Sequence, residues 1–110
     1  MIPVKVTKIS YHSESKSYAV ILKEITGDKC IPVIVGSFEA QSIALAIETV
    51  DTPRPLTHDL ICDLITGIDS ILNTVRINGL DDGVFYAQLE IESKKLGKRN
   101  IDARPSDAIA

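Results

Sequence analysis

DDGVFYAQLEIES, residues 81–93, is the stretch of the chain with the clearest strand pattern. Apolar and polar side chains alternate through it, which places one set on each face of a β-strand and predicts that the apolar face packs inward. Asp81, Asp82 and Gly83 are typical turn residues, and residues 74–80 before them also have strand character, so we predict a β-hairpin. The inward positions are Phe85, Ala87, Leu89 and Ile91, and the outward positions are Gln88, Glu90 and Glu92.

Downstream of this hairpin, the sequence predicts one more strand and the start of a helix. Residues 94–99 form a basic turn and residues 100–103 a short strand. Pro105, Ser106 and Asp107 then begin a helix that Ala110 stops after roughly one turn, and a helix of that length is marginal by itself. We therefore expect that the natural chain continues past Ala110, or that this end docks on a partner.

Upstream, the first third of the chain predicts three strands. Residues 4–11 alternate with a change of phase near Lys8, which indicates a β-bulge. Residues 17–25 are apolar on both faces, as in a central strand that is covered on both sides. Residues 30–35 contain Pro32, whose missing N–H confines such a strand to an edge of the sheet or limits its pairing.

Two helices are predicted after these strands. Helical spacing of apolar residues over 38–50 predicts a helix with Ser37 as its N-cap, and Thr57 is predicted to cap a second helix that Gly67 weakens or ends. The order of elements predicts an α+β fold, with a mixed or antiparallel sheet built from two βββα-like halves and an inserted helix. We expect residues 1–110 to form a single domain. The apolar face of the inserted helix is predicted to consist of Leu60, Ile61, Leu64, Ile65 and Ile68.

Composition limits the classes of protein to which this chain can belong. With 110 residues, 45% of them hydrophobic, and a net charge of -3, the chain is neither disordered nor collagen-like. No apolar run reaches the roughly 18–20 residues that span a bilayer, so we expect a cytoplasmic protein with no membrane partner. Cys30 and Cys62 are predicted to be reduced, half-buried thiols. An isoelectric point near 5.3 argues against a broad basic surface, so contacts to nucleic acid must be local or use a metal ion.

Three helix starts carry an acidic residue, and two of them share an Arg-Pro dipeptide before a hydroxyl residue. A helix N-terminus offers N–H groups to a phosphate, and an arginine before proline adds a bidentate grip, so we predict that these segments bind phosphate. The alternative is structural, because hydroxyl residues cap helices, acids complement the helix dipole, and arginine can bridge a nearby carboxylate. The predicted phosphate-binding residues are Arg54, Thr57, Arg104 and Ser106.

The same segments supply candidates for proton transfer and for metal binding. His58 is the histidine near this set and can act as a general acid or base, with Asp59 and Asp107 as further catalytic candidates. Carboxylate oxygens suit Mg²⁺ or Mn²⁺, so we predict a divalent-cation site formed by Glu39, Asp59, Asp102 and Asp107. The alternatives are a solvated helix flank at Asp59, and a surface ion pair between Asp102 and Arg104.

Four strings in this order resemble the bifunctional nuclease domain family of bacteria and plants: GSFEAQSIALAIE at 36–48, RPLTHDL at 54–60, DGVFYAQLEI at 82–91 and DARPSDAIA at 102–110. The resemblance extends from about Val20 to the end of the chain. It implies an α+β domain and, through characterised members, cleavage of phosphodiester bonds in RNA and DNA. The roles that we give to individual residues come from their chemistry and not from the family.

Two classes of function follow from these observations. The first is a nuclease that a divalent cation assists, in which His58 transfers a proton and Arg54 and Arg104 hold the scissile phosphate. The second is a non-catalytic module that binds a small anionic ligand or a protein partner at the same helix starts. Because strands with two apolar faces in a short chain need cover, we also expect a homodimer or a higher homo-oligomer.

Overall fold

A computed structural model of the chain describes residues 2–81 and 84–110, and the side chains of residues 79–81 and 84 are not among those described. Asp82 and Gly83 of the predicted turn lie outside the described residues. The chain forms two compact units, Met1–Thr49 and Val50–Ala110, which we describe separately. The expectation of a single domain stays a prediction.

The first unit is a three-stranded antiparallel sheet followed by a helix. β1 (Val4–His12), β2 (Ser17–Glu24) and β3 (Cys30–Val35) lie in the order β1-β2-β3, and α1 spans Ser37–Ile47. The central position of β2 and the edge position of β3, the strand with Pro32, are as predicted. The predicted bulge is also present, because the register of β1 against β2 shifts between Val6 and Lys8.

The core of the first unit lies between β2, β3 and α1. Its fully buried side chain, Val20, is in the central strand, and burying a side chain of that size contributes about 1.5–3 kcal/mol. α1 adds Ala40 and Ile43, which are three positions apart and therefore lie on the same face of the helix. The buried apolar residues of this unit are Ala19, Val20, Leu22, Val33, Val35, Ala40 and Ile43.

The second unit repeats the order of strands and helix, with one helix in front. α2 spans Thr57–Gly67, and β4 (Ser70–Asp81), β5 (Val84–Ser93) and β6 (Gly97–Ala103) form an antiparallel sheet in the order β4-β5-β6. α3 (Pro105–Ile109) packs on β5, where Ala87 is 0% exposed and Ala108 is buried. Small side chains at both positions let the short helix approach the sheet closely. The predicted α+β fold with two βββα halves and an inserted helix is confirmed.

Several boundaries differ from those expected. α1 ends at Ile47 and not at Val50, because Thr49 adopts a left-handed φ of 53° and its N–H bonds to the carbonyl of Ala46. β6 begins at Gly97, so Lys98 and Arg99 are strand residues and not turn residues. β4 begins at Ser70, four residues earlier than the predicted strand.

Two expectations about burial are wrong. Cys30 and Cys62 are free thiols, as predicted, but both are exposed and not half-buried. α2 has no buried residue, and of its predicted apolar face only Ile65 is half-buried, because α2 contacts β4 along a narrow line. Among the described residues, no helix has both the length and the apolar character needed to cross a membrane.

Candidate functional site

The N-cap residues of the three helices lie one or two residues before the hydroxyl residues Ser37, Thr57 and Ser106. They are Gly36, Leu56 and Arg104, each with extended backbone, and none of these described helices has a side-chain cap hydrogen bond. The predicted caps at Ser37 and Thr57 are wrong because these residues, like Ser106, already lie inside the helices, where their hydroxyl groups no longer face the first N–H groups. All three acidic residues therefore occupy the third helical position, and each has a different environment.

Asp59 has the ordinary role of an acid at this position. Its Oδ2 accepts a hydrogen bond of 3.0 Å from the backbone N–H of Leu56. This is one half of a capping box, and the other half is missing because leucine has no acceptor group. Asp59 thus stabilises the start of α2, directly beside His58.

Glu39 is buried in the first unit, with 8% of its surface exposed. Its carboxylate folds back over Gly36, so that a Cβ atom at position 36 would lie 2.5 Å from Oε2. Gly36 has no Cβ atom, and the carboxylate of Glu39 occupies the space that this atom would fill. Glu39 belongs to a different unit from the other predicted site residues and is described within its own unit.

Asp107 turns away from the backbone and binds two side chains. Its Oδ1 lies 3.1 Å from Nε2 of His58, and its Oδ2 accepts hydrogen bonds from Arg104 at 2.9 Å from Nε and 2.8 Å from Nη2. We call these three residues the His58–Asp107–Arg104 cluster. It joins the start of α2 to the start of α3 through His58 and Asp107, which are 49 positions apart in sequence.

Burial and ionic contacts act in opposite directions on Asp107. Partial burial raises its pKa, but hydrogen bonds from His58 and Arg104, together with the positive charge of Arg104, lower the pKa below the ordinary 3.8. Asp107 is therefore a carboxylate at neutral pH and acts as an acceptor. In the neutral imidazole, the proton of His58 then lies on Nε2, which makes Nδ1 the basic atom of the ring.

The cluster has one buried and one exposed end. The side chain of His58 is 11% exposed, whereas that of Arg104 is 71% exposed and that of Asp107 is 37% exposed. A substrate can therefore approach from the side of Arg104, while the histidine is shielded from bulk water. This pairing of a shielded base with an accessible cation is typical of a site for an anionic substrate.

The other predicted site residues lie apart from these contacts. Arg54 and Thr57 are exposed in the loop before α2 and in its first turn, whereas Ser106 is buried in α3. Asp102 lies in β6 opposite Gln88, and Arg104 pairs with Asp107 and not with Asp102. Within residues 2–81 and 84–110, no three His, Cys, Asp or Glu side chains are arranged to hold a metal ion, and the divalent cation stays a prediction.

One polar contact in the second unit has no counterpart in the sequence analysis. Nη2 of Arg76 in β4 donates a hydrogen bond of 3.0 Å to Oε1 of Glu90 in β5, and this bond lowers the pKa of Glu90. Asn73 bonds in the same way to Glu92. The alternation in β5 predicts that Glu90 lies on the polar face. Its partner Arg76 could not be predicted, because the register between β4 and β5 is not determined by the sequence of either strand alone.

Residues 20–110 match the bifunctional nuclease domain. The chain belongs to the bifunctional nuclease domain family. All three residues of the His58–Asp107–Arg104 cluster lie within the part that matches this domain.

Two relatives from Mycobacterium tuberculosis are also similar to the chain. They are the uncharacterized proteins MT1877 of strain CDC 1551 and Rv1829 of strain H37Rv, each 42% identical over 109 residues. The alignment covers 97% of this chain and 63% of each relative, so the chain spans less than two thirds of the length of these proteins.

Proposed function

We propose that this chain is a nuclease that hydrolyses phosphodiester bonds in RNA and DNA, with His58 as its general acid–base residue. The observation that carries the proposal is the hydrogen bond of 3.1 Å between Nε2 of His58 and the ionised Asp107. A carboxylate that fixes the tautomer and the orientation of a shielded imidazole is the usual arrangement for proton transfer. Membership of the bifunctional nuclease domain family supports phosphodiesters as the substrate class.

Cleavage of both nucleic acids defines the nucleophile. DNA lacks the 2′-hydroxyl group, so an enzyme that cleaves RNA and DNA by one mechanism must use water. Nδ1 of His58 takes a proton from the water, whose oxygen attacks phosphorus while the bond to the leaving sugar oxygen breaks. Asp107 stabilises the imidazolium that forms, and the leaving sugar oxygen then takes this proton from His58, which restores the neutral imidazole.

Arg104 and Arg54 are proposed to bind the phosphate. The guanidinium of Arg104 is held at Nε and Nη2 by Asp107, so its plane is fixed while most of the side chain is accessible. A fixed guanidinium loses less entropy when it binds a phosphate than a mobile one does. Arg54 is exposed in the loop that leads into α2 and brings a second positive charge to the same unit.

Mutation of each cluster residue tests the proposal. We expect His58→Ala to lower the rate of cleavage of a 20-nucleotide RNA and of its DNA counterpart by about 10²–10⁴-fold, the usual contribution of a general base. Asp107→Asn, which keeps the shape but removes the charge, is expected to lower kcat, and Arg104→Gln to raise KM. His12→Ala is the matched control, because His12 is an exposed residue at the end of β1 in the first unit.

Asp59 provides the internal comparison. Its hydrogen bond to Leu56 predicts that Asp59→Ala destabilises α2 by about 1 kcal/mol, and its predicted catalytic role would add a loss of activity in the fully folded protein. Undiminished cleavage by both His58→Ala and Asp107→Asn, purified in the same way, would show that the activity belongs to a contaminant. Tight binding of the oligonucleotide by every variant, without turnover, would instead indicate the non-catalytic module.

Three further predictions belong to this proposal. A divalent cation, Mg²⁺ or Mn²⁺, is proposed to assist the reaction. A homodimer or higher homo-oligomer is expected, which sedimentation velocity over a range of protein concentrations measures. Cytoplasmic location is expected, which fractionation of cells that express the natural protein measures.

A further inference from the structure

The β5–β6 hairpin carries the densest group of positive charge in the chain. Residues 94–99 read KKLGKR, so four of the 12 lysine and arginine residues lie within six positions that contain no acid. Every residue from 94 to 100 is exposed. We call Lys94, Lys95, Lys98 and Arg99 the basic hairpin.

The backbone of the basic hairpin is fixed. Ser93 pairs with Gly97 across the end of the sheet, and Oγ of Ser93 accepts a hydrogen bond of 3.0 Å from the N–H of Leu96. Gly97 has a φ of 73°, the left-handed conformation that closes a three-residue hairpin loop. The lysines at the tip are therefore displayed on an ordered loop, so that binding costs side-chain entropy but little backbone entropy.

The charge of the basic hairpin is largely uncompensated. Among the residues that the structure describes, none of its four side chains forms an ion pair. Lys98 faces Glu92 across the strand pair and helps to lower the pKa of Glu90, so its charge is shared with the sheet. Lys94, Lys95 and Arg99 remain for an external anion. In a protein with a net charge of -3, a local group of this kind is the place where a polyanion is attracted.

The basic hairpin is connected directly to the His58–Asp107–Arg104 cluster. β6 begins at Gly97 and ends at Ala103, and the next residue is Arg104. Seven strand steps of about 3.3 Å separate Gly97, where the loop of the hairpin ends, from Arg104 by about 23 Å. A duplex with a rise of about 3.4 Å per base pair spans that distance in about seven base pairs.

We propose that the basic hairpin binds the phosphodiester backbone of a nucleic acid about 23 Å from the bond that is cleaved. This inference rests on the proposed nuclease function, because the distance of about 23 Å matters only if the same nucleic acid also binds at the His58–Asp107–Arg104 cluster. Lys94, Lys95 and Arg99 contact phosphates and not bases, so binding is independent of sequence. A strand with positive charge at both ends can contact a linear polyanion at two points, whereas a membrane surface would contact only the tip of the hairpin.

The test measures binding without cleavage. Fluorescence anisotropy follows a labelled 20-base-pair duplex DNA in EDTA, with His58→Ala as the parent protein, over a series of salt concentrations. In Lys94→Gln/Lys95→Gln/Arg99→Gln, we expect the slope of log K against log salt to fall in magnitude by about 2–3, at about 0.9 per phosphate contact. Affinity at about 0.1 M salt is then expected to fall by roughly 100- to 1,000-fold, and Lys94→Arg/Lys95→Arg to keep the parent's slope.

The matched control removes the same charge elsewhere. Lys5→Gln/Lys8→Gln/Lys29→Gln replaces three exposed lysines of the first unit and is expected to keep the slope of the parent. Circular dichroism verifies that both triple variants are folded.

Three results would overturn the inference. They are equal slopes for the two triple variants, no binding of the duplex by the parent at low salt, or loss of binding to vesicles of phosphatidylserine and phosphatidylcholine with no change toward DNA. Cleavage by the unsubstituted protein is scored separately. A protein that binds through the hairpin but never cleaves contradicts the nuclease and not the hairpin.

Discussion

The acidic residue at the third helical position has a different partner in each of the three helices. Asp59 bonds to the backbone of Leu56, Glu39 folds over Gly36, and Asp107 binds the side chains of His58 and Arg104. The environment of Asp59 is the one that helix capping requires. Asp107 is bound by a histidine and an arginine side chain, and that difference distinguishes a candidate site from a structural cap.

The contacts of Asp107 predict a pH-dependent contribution to stability. Its pKa is lowered below 3.8 in the folded protein, so the contribution is present above that value and is lost as the pH falls through the folded pKa. Because the side chain is partly exposed, we expect Asp107→Asn to lower the free energy of unfolding by no more than about 1 kcal/mol at neutral pH. Below the folded pKa of Asp107 the variant and the unsubstituted protein should have equal stability.

Urea unfolding over a series of pH values from 7 down into the acid range measures this difference. Asp63→Asn is the control, because Asp63 is exposed on α2 and forms no ion pair with any residue in the described part of the chain. A deficit of Asp107→Asn that does not shrink at any pH at which the protein is still folded would show that ionic contacts do not hold the cluster together.

Elements were predictable where the side-chain period is unbroken. β5 alternates apolar and polar side chains, β2 is a run that is apolar on both faces, and Pro32 identified β3 as an edge strand. β4 was recognised over part of its length because its register shifts twice, between Leu72 and Thr74 and between Asn78 and Leu80. Each bulge moves the following side chains to the other face, so the sequence of a bulged strand resembles two short fragments.

Two glycines in the second unit predict opposite effects of the same substitution. Gly67 ends α2 with open space around a Cβ atom, so Gly67→Ala should raise the free energy of unfolding by about 0.4–1 kcal/mol through the unfolded chain. Gly97 has a φ of 73°, so Gly97→Ala should lower the free energy of unfolding by about 1–2 kcal/mol, although no atom lies within 4 Å of the added Cβ. Chemical denaturation of both variants and of the unsubstituted protein measures the two changes in the free energy of unfolding. Changes of the same sign would contradict the assigned backbone conformations.

At the scale of the whole chain, the sequence shows which residue types the helix starts carry but not which side chains they contact. The helix starts and the acids, hydroxyls and arginines that they carry are local features. The contact of His58 with Asp107 joins residues 49 positions apart, and the pairing of Arg104 with Asp107 instead of Asp102 depends on where β6 ends. Exposure of Cys30 and Cys62 also depends on packing, which no single segment determines.

The divalent cation is the prediction that involves the charge of the whole molecule. Both oxygens of Asp107 are bound by His58 and Arg104, and one oxygen of Asp59 is bound by Leu56, so these carboxylates have few lone pairs left for a metal ion. Mg²⁺ commonly binds through one or two carboxylates together with substrate phosphates. In a protein with a net charge of -3, a cation lowers the electrostatic repulsion most when a polyanion is bound.

We therefore expect the cation to bind with the nucleic acid and not before it. Titration calorimetry of the protein with MgCl₂ or MnCl₂ alone should show no binding tighter than about millimolar, and EDTA should leave the melting temperature unchanged. EDTA should nevertheless stop cleavage, and excess Mg²⁺ should restore it. Cleavage at an undiminished rate in EDTA would contradict metal assistance while leaving His58 as the base, whereas micromolar Mn²⁺ binding by the protein alone would indicate a resident site. These two outcomes separate a cation that the substrate recruits from one that the fold holds, because only the second adds to the stability of the chain in the absence of nucleic acid.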